Sequence, residues 1–292
     1  MQKISYYFFR ILVFTFSLIP FWLLYFYSDI LYFFFFYVFG YRKNVVFTNL
    51  RNSFPDKTDE EILKIAKDFY KNLSDITLES IKGLSMSKKT LKKRYPVINI
   101  EILDKFLQND QSIIGLAAHY TNWEWGVISF GFQFKHKSIG LYKPLSNKYI
   151  DAFVKKSRAN WGMNLVSIKK TKKAFEEKYE KPTVFFMISD QSPSNIKRAK
   201  WVNFLNQETS CLHGAEMYAK KFNIPLIFGD VQRIKRGYYE VELSIFEDKP
   251  QETKDGEITE RYMKKLEEII KAKPENWLWS HKRWKHKKEE IK

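Results

Sequence analysis

The sequence predicts an α/β fold, a layered sheet with flanking helices, preceded by a hydrophobic N-terminal segment. Three observations carry this. Short continuous apolar runs bounded by polar turn residues, at 113–118 and 183–189, read as buried strands. Stretches of helical periodicity alternate with them, as α/β layering requires. The first 41 residues are so rich in Phe and Tyr that almost no polar face remains.

The elements follow in order. Residues 11–27 and 30–41 are apolar runs separated by Ser28-Asp29. The first is near the lower length for crossing a bilayer, about 17 residues, and the second is too short to cross alone. A cleavable signal peptide is disfavoured, because no small-residue cleavage site follows. Lys3 and Arg10 precede the runs and Arg42-Lys43 follow them, so the positive-inside rule does not favour a simple single crossing. Two arrangements remain: a tilted span, or a helical hairpin turned at Ser28-Asp29 and Pro20 that dips into one leaflet. The expected division is a membrane anchor over 1–41 and one α/β domain over 42–292.

Residues 41–56 read as a basic connector. Thr58-Asp59-Glu60-Glu61 supplies helix-start chemistry, and Ile62, Ile65, Ala66, Phe69, Tyr70 and Leu73 continue at helical spacing. Residues 88–93 read as a basic turn, 97–100 as a first strand, 101–108 as a helix and 113–118 as the next strand. A strand over 139–142 leads to a helix over 148–161, and 171–179 is helical and charged. The strand at 183–189 precedes a helix over 209–222 and a strand over 225–233. Gly237 turns the chain into 238–245, whose apolar residues alternate with Glu240, Glu242 and Ser244 as in a half-exposed edge strand. A final amphipathic helix covers 258–272. No internal repeat or low-complexity linker interrupts the domain.

A single cysteine, Cys211, excludes an intramolecular disulfide and a cysteine-rich zinc site. The formal net charge of +17 implies attraction to a polyanion, nucleic acid or an anionic lipid surface. The apolar N-terminus tips this toward lipid. The ending at 277–285, with Trp277, Trp279, Trp284, Lys282, Arg283 and Lys285, suits base stacking or a lipid interface, and the anchor at the other end favours lipid. Trp277 and Trp279 are expected to pack against the domain while Lys282, Arg283 and Lys285 meet lipid phosphate or an acidic carrier.

The stretch 116–126 holds the sharpest chemical signal, with His119 and Glu124 five positions apart directly after a buried strand. On one helix they would point about 140° apart at roughly 100° per residue. They converge only with His119 at the strand end and Glu124 in the first turn of the next helix. That places a base and a carboxylate partner at the carboxyl edge of a sheet, where open α/β sheets keep their sites. A carboxylate on one ring nitrogen would fix the tautomer and stabilise the imidazolium. The competing reading is a capping box, Thr121 with Glu124, in which Glu124 only satisfies backbone N–H groups. Asp190 and Gln191 also follow a buried strand, and Arg158, on the helix over 148–161 after Asn147, is within reach of the same edge. Turn capping by Asp190 and a solvated helix face for Arg158 are the bland alternatives. His213 and Cys211, two apart on an expected helix, do not share a metal, and no metal or cofactor is expected.

Read together, these residues resemble the bacterial late acyltransferases of lipid A biosynthesis. The resemblance rests on 42–55, on His119 to Glu124, on Tyr142-Lys143-Pro144 with Asn147, on Arg158, on Asp190-Gln191 and on the tryptophan-rich ending. It covers nearly the whole chain. It implies a glycerolipid-acyltransferase-like fold, His119 as base with Glu124 as its partner, and Lys143, Asn147, Arg158, Asp190 and Gln191 in or near the substrate pocket. Phe204-Leu205-Asn206 departs from the family's aromatic pair and glycine, and Asn206 can replace glycine where a positive φ is needed. The expected activity is O-acyl transfer from an acyl thioester, on acyl carrier protein or CoA, to an anionic glycolipid hydroxyl. The expected place is the cytoplasmic face of the inner membrane, in contact with membrane lipid and not with nucleic acid. A glycerolipid or aminolipid acyltransferase with the same dyad, or a non-enzymatic membrane-bound binder of lipid or nucleic acid, are the alternatives.

Overall fold

The computed structural model describes residues 1–290. Helix α1 (Gln2–Leu18) stops at Ile19-Pro20, where proline forces the preceding residue into an extended conformation. Helix α2 (Phe21–Phe33) then runs into a π-helical turn, Phe34–Val38. Phe21–Val38 is long and apolar enough to cross a membrane. The expected turn at Ser28-Asp29 is corrected: both residues lie inside α2, and Pro20 alone makes the break. They fit there because their polar groups have partners on the domain. The Ser28 hydroxyl donates to Asp75 at 2.6 Å, and Asp29 accepts from Arg236 at 2.6 Å.

The connector expected at 41–56 is instead helix α3 (Lys43–Ser53), which buries Val46 and Leu50 one turn apart. Its Asn49 amide donates to the carbonyls of Trp279 and His281, at 2.9 and 3.0 Å, and so ties the start of the domain to its end. Helix α4 (Asp59–Gly83) opens with a capping box between Thr58 and Glu61. The basic stretch at 88–93 is helix α5 (Lys88–Arg94), started by the Ser87 side chain accepting from the Thr90 N–H. Val97 makes only an isolated bridge to Val241, not a strand, and a 3-10 turn leads into α6 (Asp104–Gln108).

The sheet follows: β1 (Ile113–Ala117), α7 (Trp123–Gln133), β2 (Lys137–Tyr142), α8 (Lys148–Asn160), β3 (Met163–Ser167), α9 (Thr171–Glu176) and β4 (Thr183–Ile188). A two-stranded ribbon, β5 (Lys200–Phe204) and β6 (Gln207–Cys211), precedes α10 (Gly214–Phe222), β7 (Leu226–Lys235), β8 (Tyr238–Glu247) and α11 (Glu257–Ala272). The helix expected over 209–222 therefore starts only at Gly214. Residues 207–211 pair with β5 through a two-residue turn in which Leu205 and Asn206 have φ of 50° and 63°. Asn206 thus takes the left-handed conformation expected of it.

Six strands lie in the order β3-β2-β4-β1-β7-β8, parallel except for the edge strand β8. Strand alternation fills two layers, as a sheet covered on both faces requires. Ile114, Leu116, Phe185 and Phe228 face α3, α4, α10 and α11, while Ile113, Val184 and Ile227 face α5 to α7. Trp277 and Trp279 belong to the first layer and are buried. Trp279, fully enclosed, donates its indole N–H to the Pro274 carbonyl at 2.6 Å. Trp279→Ala should lower unfolding free energy by about 3–5 kcal/mol, the scale for a lost core aromatic. Denaturant melts of the two proteins measure this.

Candidate active site

Chain connectivity selects the crevice between β1 and β4. The chain leaves β1 through α7 toward β2, on the far side of β4. It leaves β4 toward β7, on the far side of β1. Helices diverging from adjacent strand ends open a crevice there, the usual ligand position in such sheets. Register does the rest. Ala117 pairs with Ile188, so two residues further along each strand His119 and Asp190 stand side by side.

They are bonded twice. His119 Nδ1 lies 2.7 Å from Asp190 Oδ1, and the His119 backbone N–H donates to Oδ2 at 3.0 Å. The Trp277 indole N–H also donates to Oδ2, at 3.0 Å. Burial alone would raise the Asp190 carboxyl. The charge of His119 and these three hydrogen bonds outweigh it and hold the group below its usual range. An ionised carboxylate only accepts, so the ring proton sits on Nδ1 and Nε2 keeps its lone pair.

This corrects the expected pairing. His119 is at the strand end and Glu124 in the first turn of α7, as the spacing required. But the carboxylate on the imidazole is Asp190, and Glu124 Oε2 instead takes the Arg158 guanidinium. Among the described residues no hydrogen bond joins His119 to Glu124. The capping-box reading is corrected too. Thr121 has φ of 51°, and Asn122 is the cap, accepting from the Trp125 N–H at 2.9 Å. The Asn122 amide is held in turn by buried Glu79 at 2.6 Å, and the Thr121 N–H donates to Asn276 at 2.8 Å. The loop between His119 and α7 is thereby fixed from both sides.

From this edge an apolar cavity runs down between α7 and the sheet. Ala118, Trp123 and Arg158 stand at its upper part, and Phe130, Met163 and Phe186 lie deeper. The Tyr95 hydroxyl and the Arg158 Nε are buried there without a hydrogen-bond partner. Of the other expected pocket residues, Gln191 is half-buried next to Asp190, and Lys143 is exposed. Asn147 is a correction: its carbonyl caps α8 by accepting from Tyr149 and Ile150, and its amide reaches the Gln2 carbonyl on α1. Its polar atoms are spent on structure.

The packing expected for Trp277 and Trp279 against the domain holds, but the sequence gives no sign that Trp277 and His281 stand at the site, and Arg283, expected to meet lipid phosphate, is a correction. Trp277, Trp279 and Arg283 are buried, and Arg283 donates to the Ser210 carbonyl at 2.7 Å, so none of the three faces a ligand surface. His281 Nε2 accepts from the Ser192 N–H at 3.2 Å. Burial, then the positive charge of Arg283, push its pKa down to about 4, against the pull of Asp190. Its stability effect has a definite sign. Between the ordinary 6.5 and about 4 the unfolded chain binds the proton and the folded one does not, so stability falls as pH falls through that window. The thermal midpoint should therefore drop from pH 7 to 4.5, and His281→Gln should flatten that drop. Cys211 is buried, and burial pushes its thiol up despite Arg283, so it is a poor nucleophile. His213, Glu216 and Asp255 have ligand atoms within 4.8 Å, but Glu216 is occupied capping α11 through Gly256 and Thr259.

A histidine held by a buried carboxylate thus directly follows Ala117 and Ala118, which line the apolar slot. Residues 1–286 match the family described as bacterial lipid A biosynthesis acyltransferase, and the chain belongs to that family. It is therefore an acyltransferase of lipid A biosynthesis. It is similar to the lipid A biosynthesis lauroyltransferase of Escherichia coli (strain K12), with 23% identity over 254 residues, 86% of this chain and 81% of that protein.

Proposed function

We propose that the protein moves a fatty acyl chain from an acyl thioester, on acyl carrier protein or CoA, to a hydroxyl of a lipid A precursor or related anionic glycolipid. The carrying observation is the His119–Asp190 pair, which follows closely on Ala118 and Ile188 in the lining of the apolar cavity. The cavity takes the acyl chain and brings the thioester carbonyl to the strand ends. His119 Nε2 accepts the acceptor's hydroxyl proton as that oxygen attacks the carbonyl carbon. Asp190 stabilises the imidazolium formed. The oxyanion is met by Arg158, whose unpartnered Nε is a ready donor and whose guanidinium Glu124 holds in place. When the carbon–sulfur bond breaks, the thiolate takes the proton from His119, leaving ester and free thiol. No acyl-enzyme is needed.

The membrane supplies the acceptor. Tyr7, Phe8, Ile11, Phe14, Trp22 and Phe26 on α1 and α2 are largely exposed, an apolar surface suited to lipid at the cytoplasmic face of the inner membrane. The test is direct. Purified protein in neutral detergent micelles is given the lipid A precursor with an acyl carrier protein thioester or acyl-CoA. A mass gain of one acyl chain on the lipid, lost in His119→Ala, is expected. Thioester hydrolysis with no acylated lipid would overturn the reading.

A further inference from the structure

An open groove lies between α1 and α8, on the side of α8 away from the cavity. Its walls include Tyr6, Arg10, Tyr149, Phe153, Lys156 and Asn160. Lys156 and Asn160 are each two residues from Arg158, about 200° round the helix at roughly 100° per residue. The groove and the catalytic edge thus share one helix and stand about 10 Å apart, a helix diameter.

The groove is cationic and lacks counter-charge. The Arg10 guanidinium lies 4.7 Å from the Phe153 ring centroid and donates to the Tyr6 hydroxyl at 3.0 Å. That contact leaves most of its five N–H donors free while fixing its plane. Lys3 and Lys148 both approach the Tyr149 ring of the same wall, 5.9 and 5.5 Å from its centroid. Among the described residues none of Lys3, Arg10, Lys148 and Lys156 meets a carboxylate. Helix α1 contains no acid, and the one acid of α8, Asp151, is turned to the Tyr142 hydroxyl and the Leu145 N–H. The exposed apolar residues of α1 border this groove, so its cations sit at the level where headgroup phosphates meet Lys, Arg and Tyr.

We propose that the groove between α1 and α8 binds a phosphate group of the lipid acceptor and so registers its headgroup against His119. The proposal rests on the acyl-transfer reading. A guanidinium held flat by aromatic rings with a free lysine beside it suits a phosphate monoester, which offers several acceptor oxygens and about two charges. The acceptor is favoured over bystander phospholipid because the groove shares α8 with Arg158.

The test uses full-length protein in neutral detergent micelles, with the phosphorylated lipid A precursor and the same lipid after phosphatase treatment. Arg10→Glu with Lys156→Glu should raise KM for the phosphorylated lipid by about tenfold or more, as expected when charge-assisted contacts are lost. The kcat, the KM for the dephosphorylated lipid and the thermal midpoint should stay unchanged. Lys105→Glu with Lys287→Glu, the same charge change elsewhere, should leave KM alone. Equilibrium binding of the phosphorylated lipid is measured alongside. If wild-type protein makes no acylated product, the acyl-transfer reading fails, and the binding ratio still tests the groove. Unchanged KM and binding in the double variant would overturn the proposal. So would a loss confined to phosphatidylglycerol vesicles, which would assign the groove to bystander lipid.

Discussion

His119→Ala should lower kcat by about 100- to 10,000-fold, the range for losing a positioned general base. The thermal midpoint should hardly move. The His119 side chain is partly exposed, and without it Asp190 still accepts from the residue-119 backbone N–H and from Trp277. The KM for the thioester should change little, because the cavity is lined by other side chains. Steady-state kinetics and a melt on one preparation separate these effects. A comparable loss of folding would reduce His119 to a structural residue.

Asp190→Asn should be as damaging, by a route that leaves the site filled. Asp190 Oδ2 accepts two N–H groups, from His119 and Trp277. The asparagine carbonyl must take that position, which turns its NH2 toward Nδ1 of the imidazole. Nδ1 then accepts, the ring proton moves to Nε2, and the nitrogen facing the substrate is no longer basic. A wrong tautomer of this kind costs on the order of 10,000-fold in turnover. Asp190 also has a pH signature. Its folded pKa is depressed, so its stabilising contribution is present above the ordinary carboxylate range and is lost as pH falls through its lower, folded value. Asp190→Asn should lose that acid-side dependence as well as turnover.

What the sequence made legible follows from the range of each interaction. The strands β1 and β4 read correctly because a buried parallel strand needs an unbroken apolar run, and β7 reads from the short apolar run at 226–228 that pairs with β1. The helices α4 and α8 read correctly because their caps are local, and α11 because its apolar periodicity is. The helices α3 and α5 were hidden by lysines and arginines around a few buried positions, Val46, Leu50 and Leu91. The β5–β6 ribbon was hidden because its pairing depends on a turn at Leu205-Asn206 rather than on any run. The site shows the same division. Local spacing placed His119 and Glu124 on the correct elements but paired them with each other, since Asp190 stands 71 residues away and Trp277 lies further still. Only the parallel register of β1 with β4 brings His119 to Asp190, and register is a property of the sheet.

The tautomer of His119 tests the central claim most directly. In protein labelled with nitrogen-15 histidine, with the His119 signals assigned by their loss in His119→Ala, imidazole nitrogen shifts report which nitrogen carries the proton at neutral pH. The arrangement with Asp190 predicts protonated Nδ1 and bare Nε2 in the wild type, reversed in Asp190→Asn. A wild-type ring protonated at Nε2 with bare Nδ1 would contradict it.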